Sequence, residues 1–373
     1  MTGEATMRQT PLARELARRI TRDGPIGVAD FVEACLQDPE HGYYRRQAAI
    51  GAGGDFITAP EISQVFGELI GLWCAVVWQQ MGAPSGVRLI EFGPGRGTLM
   101  RDVLRAGRLV PAFRAALRVE MVESDAALEA MQRACLGGEG VPIAWSCDVS
   151  GGEGPVIVIA NEFLDTLAAE QWIYRTGRWH MRCVGLDAAG ALAFVDGPAA
   201  IDAALPAGLP SPAEGEVFES RRHAFAKLAA RLARLGTPMA GLFIDYGHDR
   251  PGFGDTLQSV AAHRYTSPLE APGEADVTSQ VDFASFADAL HAHGVRCDGP
   301  LPQGEFLGRL GAVERASRLM AANPRRAGEI EAGIAALMAP AGMGSRFQAV
   351  GIRSVDLTPL PPFAAVDSGQ RAP

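Results

Sequence analysis

The chain has 373 residues, 47% of them hydrophobic and 21% charged, with a formal net charge of -9 at pH 7. Its length suffices for one large core, or one core with a substantial extra lobe, and its composition excludes an intrinsically disordered protein. The acidity (pI ≈ 5.4) excludes broad attraction to nucleic-acid phosphates, so no nucleic-acid partner is expected. Six cysteines, Cys35, Cys74, Cys135, Cys147, Cys183 and Cys297, make no C-x-x-C pair, and the seven histidines form no ligand motif, so neither a disulfide scaffold nor a metal is expected. The first twenty residues mix Arg8, Arg14, Arg18 and Arg19 with Glu4 and Glu15, without an apolar leader core. The most apolar helix, extended from Val65 to Met81, takes in Glu68, Gln79 and Gln80 and reads as buried rather than membrane-spanning. A cytoplasmic location is expected by default.

From Leu12 to Ile20 the apolar positions share one helix face with arginines opposite, and a second helix runs from Val28 to Leu36. The stretch from Gly51 to Ser63 is too rich in special residues for a plain linker: Asp55, Thr58, Glu61 and Ser63 follow the Gly53-Gly54 pair. A helix from Gln64 to Met81 comes next. Its face of Phe66, Leu69, Ile70, Trp73, Val76 and Val77 suits the core as well as it suits a homodimer interface. Glu61 and Ser63 stand at its start, either as a solvated neighbour and an N-cap or beside a ligand held by the next strand.

That strand, Val87 to Phe92, leads into Gly93, Gly95 and Gly97 and then a helix from Leu99 to Arg108. Strand, glycine turn and helix bring backbone amides close to a ligand at a positive helix start. The dinucleotide spacing Gly-x-Gly-x-x-Gly fails at Thr98, and the lysine of a phosphate loop is missing. After an extra loop or helical turn from Leu109 to Ala116, Leu117 to Val122 is a second strand. It ends at Glu123, where an acid can accept both ribose hydroxyls of a nucleotide. Beyond a helix from Ala126 to Ala134, a third strand from Val141 to Trp145 ends near Asp148, which could accept from an adenine amino group. Val156 to Ala160 is an uninterrupted apolar run suited to a strand covered on both faces. Asn161, Glu162 and Asp165 just beyond it are either ligand-edge residues or a helix cap followed by surface acids.

Two strands from Ala169 to Tyr174 and from Trp179 to Val184 read as a hairpin around Gly177, and Asp187 to Pro212 as a variable loop with one weak strand. Glu219 to Leu235 reads as one charged amphipathic helix, before Gly241 to Gly247 returns as a strand with Asp245 leaving on the ligand side. Tyr246 could touch a bound group or pack in the core. In the polar passage from Asp255 to Phe283, His263 could accept a proton, hold a carboxylate or be structural. Helices are expected at Phe283 to Leu290, Gln303 to Leu310, Val313 to Met320 and Arg326 to Met338, and a final turn and strand at Met343 to Ile352.

Glu91-x-Gly93-x-Gly95-x-Gly97 resembles motif I of the S-adenosylmethionine-dependent methyltransferases. With it stand Gly54-Asp55-Phe56-Ile57-Thr58-Ala59-Pro60-Glu61, Phe66-Gly67-Glu68, Asn161-Glu162-Phe163-Leu164-Asp165, Asp245-Tyr246-Gly247, His263-Arg264-Tyr265, the run from Pro272 to Thr278 and Gln303-Gly304-Glu305-Phe306-Leu307. In this order, from about Leu12 to Ile352, the set closely resembles the MidA-like methyltransferases, a family that includes a mitochondrial assembly factor of respiratory complex I.

The resemblance implies an α/β fold: a class I methyltransferase doubly wound seven-stranded sheet, an N-terminal helical segment and an inserted substrate-side lobe. The expected division is 1-82 for the helical segment and a cofactor-closing loop, 83-185 for the cofactor-binding core and 186-240 for a variable loop and helix. The rest of the sheet with the inserted lobe follows over 241-358, and a flexible tail over 359-373. The implied cofactor is S-adenosyl-L-methionine, held by Glu91, Gly93, Pro94, Gly95, Gly97, Glu123, Asp148, Val149 and Asn161, with Thr58 and Glu61 closing over it and Glu91 near its ammonium. The catalytic candidates are Asp245, Glu162, Asp165, His263 and Tyr246. The implied reaction is methyl transfer to an arginine nitrogen of a respiratory-complex-type protein. The alternatives are a small-molecule methyltransferase of the same fold and a non-catalytic assembly factor. Ala59 replaces a serine common among relatives, and Ala168-Ala169-Glu170 replaces an alanine-leucine-proline run bordering the substrate side.

Overall fold

The computed structural model describes residues 10–45, 57–199, 205–206, 209–261 and 264–363. These form two compact units whose chain segments alternate. The first takes the described residues of Met1–Phe56, Asp165–Phe225 and His248–Ser285, and the second those of Ile57–Leu164, Ala226–Gly247 and Phe286–Pro373. The sequence-based division into consecutive segments does not follow this alternation.

The second unit is built on a mixed sheet. The strands along its main path are β1 (Val87–Phe92), β2 (Leu117–Val122), β3 (Ile143–Ser146), β4 (Val156–Asn161), β5 (Met239–His248), β6 (Val295–Pro302) and β7 (Phe347–Ser354). Side by side they run β3-β2-β1-β4-β5-β7-β6. β3 to β5 are parallel, and β7 and β6 are antiparallel to their neighbours. β1 and β4 are buried on both faces, as their apolar runs require: Leu89, Ile90, Val156, Ile157 and Val158 are wholly inaccessible. β6 was not foreseen. Its Gly299 and Pro300 interrupt the pattern, but β6 is an edge strand and its register shifts between Asp298 and Leu301 to accommodate them.

The helix α1 (Gln64–Gln80) starts at Ser63, whose hydroxyl accepts the Val65 N–H at 3.3 Å. Phe66, Leu69, Ile70, Trp73 and Val77 are buried in the core, leaving Val76 exposed, so this apolar face is used in packing rather than left open for a partner. Gly67 and Gly71, one turn apart, let α1 lie directly on α2 (Thr98–Gly107): a Cβ on Gly67 would meet Asp102 Cβ at 2.6 Å, and one on Gly71 would meet Val103 Cα at 2.8 Å. Glu68, between them, is buried and accepts from Arg105 at 3.0 Å and Arg315 at 2.8 Å. The Phe66-Gly67-Glu68 motif is therefore a packing device, fixing the helix whose first turn carries the glycine loop.

In the first unit, helix Pro11–Asp23 is capped by Thr10, and Leu12, Leu16 and Ile20 join Val28, Phe31 and Val32 of helix Val28–Gln37 in one core. The expected hairpin is present as Glu170–Arg175 and Arg178–Leu186, with Arg175 opposite Arg178. Thr176 and Gly177 turn it with φ of 48° and 79°, the positive pair that a two-residue hairpin loop demands. The helix expected over Glu219 to Leu235 is instead strand Val217–Ser220 followed by helix Arg222–Leu232. The break falls at Arg221, whose buried guanidinium donates to the carbonyls of Leu167, Ser279 and Gln280, contacts that helical periodicity cannot reveal. No helix among the described residues is long and apolar enough to cross a membrane.

Candidate functional site

Where the parallel strands of the second unit end, β1 delivers Glu91 and then the glycine turn. Gly97 adopts φ 82° as it caps α2, and a Cβ there would come within 3.4 Å of Gln132 Cα. At Gly93 (φ 63°) a Cβ would press on the Phe163 ring at 3.2 Å. Both positions need glycine, and the turn leaves the first amides of α2 and their partial positive charge at the sheet edge. Glu91 is 2% exposed, and its Oε2 has no hydrogen-bond partner among the described residues. Burial pushes its carboxyl well above the usual range.

The next strand brings Glu123 beside this turn: the Gly93 N–H donates to the Val122 carbonyl at 3.4 Å. The Ser124 and Asp125 N–H groups both donate to Glu123 Oε1 at 2.8 Å, and Gln132 Nε2 donates to Oε2 at 3.0 Å. Burial raises the Glu123 carboxyl against these hydrogen bonds, which oppose it. Gln132 Nε2 also donates to the Gly95 carbonyl at 2.8 Å, so one amide joins Glu123 to the glycine turn. No sequence motif singled out Gln132. The available signal was its place on the Leu128–Gln132–Leu136 face of helix α3 (Ala126–Leu136), a polar residue at an apolar position.

β4 ends in Asn161, and Glu162 follows it. Glu162 holds φ 52°, an unusual conformation for a non-glycine residue, and its Oε1 accepts from Asn161 Nδ2 at 2.9 Å and from the Ala59 N–H at 3.2 Å. Asn161 Oδ1 is a second buried oxygen with no hydrogen-bond partner among the described residues. The segment preceding α1 is tied to the same edge, with Thr98 donating its hydroxyl to Glu61 at 2.5 Å. Thr58 is half-buried, and its carbonyl accepts the Glu61 N–H at 2.9 Å. On β5, Ile244 lies opposite Asn161, so Asp245 emerges next to the end of β4, fully buried, its Oδ1 accepting the Tyr246 N–H at 2.9 Å. Tyr246 is half-buried and sits edge-on to Phe347 with ring centroids 5.5 Å apart.

Glu91, Pro94, Glu123, Asn161, Glu162 and Asp245 thus belong to one edge of one sheet. Val149 is buried beyond β3, while the Asp148 side chain is 73% exposed and paired with Arg231. Asp165 belongs to the first unit, where Thr278 donates to its Oδ2 at 3.2 Å. His263 lies outside the described residues, as do Gly53, Gly54, Asp55 and Phe56. Among the described residues, no group of three His, Cys, Asp or Glu side chains is placed to hold a metal ion.

The residues at this edge suit a cationic nucleoside: two acceptor oxygens without partners among the described residues for an ammonium, a largely buried acid for hydroxyls, and glycines that admit close approach. Residues 69–301 match the family of S-adenosyl-L-methionine-dependent methyltransferases. The chain belongs to that family. The mitochondrial protein arginine methyltransferase NDUFAF7 of Danio rerio is 34% identical over 371 residues, covering 90% of this chain and 85% of the relative. The Homo sapiens protein of the same name is 32% identical over 376 residues, covering 91% and 82%. A Burkholderia thailandensis protein solved with S-adenosyl-homocysteine bound has a TM-score of 0.82 and 25% identity, covering 95% of this chain and 94% of the other.

The methyltransferase is therefore an enzyme that uses S-adenosyl-L-methionine on an α/β fold with a mixed sheet, and the non-catalytic alternative falls away. The cytoplasmic expectation is corrected by the same relatives, which are named as mitochondrial proteins. The expectation failed because it was a default, and composition and charge do not choose among compartments.

Proposed function

We propose that this methyltransferase methylates an arginine nitrogen of a protein substrate. The observation that carries the reading is the pair of acids at adjoining strand ends, Glu162 after β4 and the fully buried Asp245 on β5, linked by the Glu162 N–H donating to the Ile244 carbonyl at 2.9 Å. Acids at two adjoining strand ends suit a planar guanidinium, whose fork of N–H donors pairs bidentately with carboxylates. The relatives named as protein arginine methyltransferases support the same substrate class.

When bound, the cofactor supplies an electrophilic methyl on a sulfonium; the S–CH₃ bond breaks as an N–CH₃ bond forms, and the electron pair stays on sulfur. This chain's residues have three tasks. Glu91 and Asn161 take the cofactor's ammonium, and Glu123 its ribose. Glu162 and Asp245 orient the guanidinium and draw its positive charge onto the nitrogens that do not react, so that the reacting nitrogen can lose its proton to a neighbouring base. Pro94, Val149 and the glycine turn form the cofactor's bed, Asp148 stands at the adenine end, and Thr58 and Glu61 close the near side. Tyr246 completes the substrate side in this reading.

The strand order β3-β2-β1-β4-β5-β7-β6 supports the doubly wound seven-stranded arrangement of class I methyltransferases. We read the segments Asp165–Phe225 and His248–Ser285 as the lobe inserted into its chain path, and a respiratory-complex-type protein as the substrate. The test is to incubate the enzyme with methyl-labelled S-adenosyl-L-methionine and protein extract from cells lacking it, then identify the labelled residue. Methylarginine in a protein is expected. Label confined to a metabolite would make the enzyme a small-molecule methyltransferase.

A further inference from the structure

Gln132 is wholly buried, yet its amide makes three hydrogen bonds, all to groups around the glycine turn or the neighbouring strand ends. Trp145 Nε1 donates to Gln132 Oε1 at 3.0 Å. An indole N–H can only donate, so the amide oxygen must face Trp145, and the amide nitrogen is left to face the Gly95 carbonyl and Glu123, both acceptors. The two N–H groups of Nε2 are divided between them, at 2.8 and 3.0 Å. Gln132 also packs against Gly97, where a Cβ would lie 3.4 Å from its Cα.

Among the described residues, Glu123 receives two backbone N–H groups on Oε1 and Gln132 on Oε2, so three of its roughly four acceptor directions are taken and one, on Oε2, stays open. We propose that Gln132 is a positioning residue for the cofactor: it fixes the rotamer of Glu123 so that this open direction meets the ribose, and it locks the Gly95 carbonyl into the turn that admits the nucleoside. This rests on Glu123 being the ribose acid. A residue that merely filled the core would need only volume here. The division of one amide between the two parts of the nucleotide site is what a positioning role requires.

The test is a double-mutant cycle read by calorimetric titration of S-adenosyl-homocysteine, with thermal unfolding of the ligand-free protein measured alongside. Gln132→Met keeps the volume and removes the hydrogen bonds; losing one hydrogen bond to a charged group weakens binding by about 10-fold or more. The same change in a Glu123→Ala background should cost under about threefold, because the partner is gone. Should Gln132→Met fail to fold, Gln132→Glu keeps the shape and places an oxygen against Glu123 and the Gly95 carbonyl, with a loss at least as large. Affinity within about twofold of wild type, or an equal loss in both backgrounds, overturns the positioning role and leaves the site reading intact. Wild-type affinity in Glu123→Ala alone overturns the site reading, and the inference with it.

Discussion

Glu91→Gln separates two effects that the structure sets against each other. In the ligand-free enzyme Glu91 is a carboxyl sealed in the sheet with one oxygen unpaired among the described residues, and burial raises it well above its ordinary value of 4.5. The folded form therefore binds this proton more tightly than the unfolded chain does. Between the ordinary and the raised value, stability falls as pH rises, and above the raised value the whole cost is present. An amide of the same shape escapes that cost. It leaves an unpaired N–H, which is cheaper than an unpaired charge, so at alkaline pH the variant should be more stable by about 1–2 kcal/mol, a gain of a few degrees in Tm. Cofactor binding moves the opposite way. Losing a charge-assisted bond to the ammonium, about 1.5–3 kcal/mol, weakens S-adenosyl-homocysteine by roughly 10- to 150-fold. The ammonium favours the ionised acid, so wild-type affinity should climb with pH until Glu91 is ionised in the free enzyme, whereas the variant's should stay flat over that window. Scanning calorimetry of the ligand-free proteins and isothermal titration at several pH values measure both arms. A less stable variant, or one binding within about twofold of wild type, refutes the reasoning.

Three further perturbations are read the same way. Glu123→Ala should weaken S-adenosyl-homocysteine by about 10-fold or more through lost ribose contacts, and unchanged calorimetric affinity would remove this acid from the site. Asp245→Asn should leave cofactor affinity within about threefold while turnover falls by about 10- to 100-fold; equal turnover in a steady-state assay would end its substrate role. Glu68→Gln weakens a part-buried cluster with Arg105 and Arg315 and should cost about 1–3 kcal/mol of stability, seen as a lowered Tm, with little effect on cofactor affinity in whatever fraction folds. A Tm unchanged by this substitution would show that the arginines find other partners.

Much of the second unit was legible because its strands are buried on both faces and say so in composition. Val87–Phe92, Leu117–Val122 and Val156–Asn161 lie where their apolar runs indicate, and the acids beyond them fall at the sheet edge because parallel strands all end on the same side. What escaped depends on partners distant in sequence. Arg221 ends a strand by reaching carbonyls some 54 to 59 positions away, and Val295–Pro302 tolerates Gly299 and Pro300 because it pairs on one side only. Gln132 and Trp145 carry no signature beyond a polar group on an apolar face, since their role arises from where Gly95 and Glu123 fold to. The compartment was misjudged for another reason: bulk charge and composition do not name a destination.

The most direct measurement is a crystal structure of the enzyme with S-adenosyl-homocysteine bound. The account predicts the amino group at Glu91 Oε2 and Asn161 Oδ1, and a ribose hydroxyl on Glu123 Oε2, with Gln132 still joining Glu123 to the Gly95 carbonyl. A nucleoside bound elsewhere, with those two oxygens still unpartnered, would contradict it.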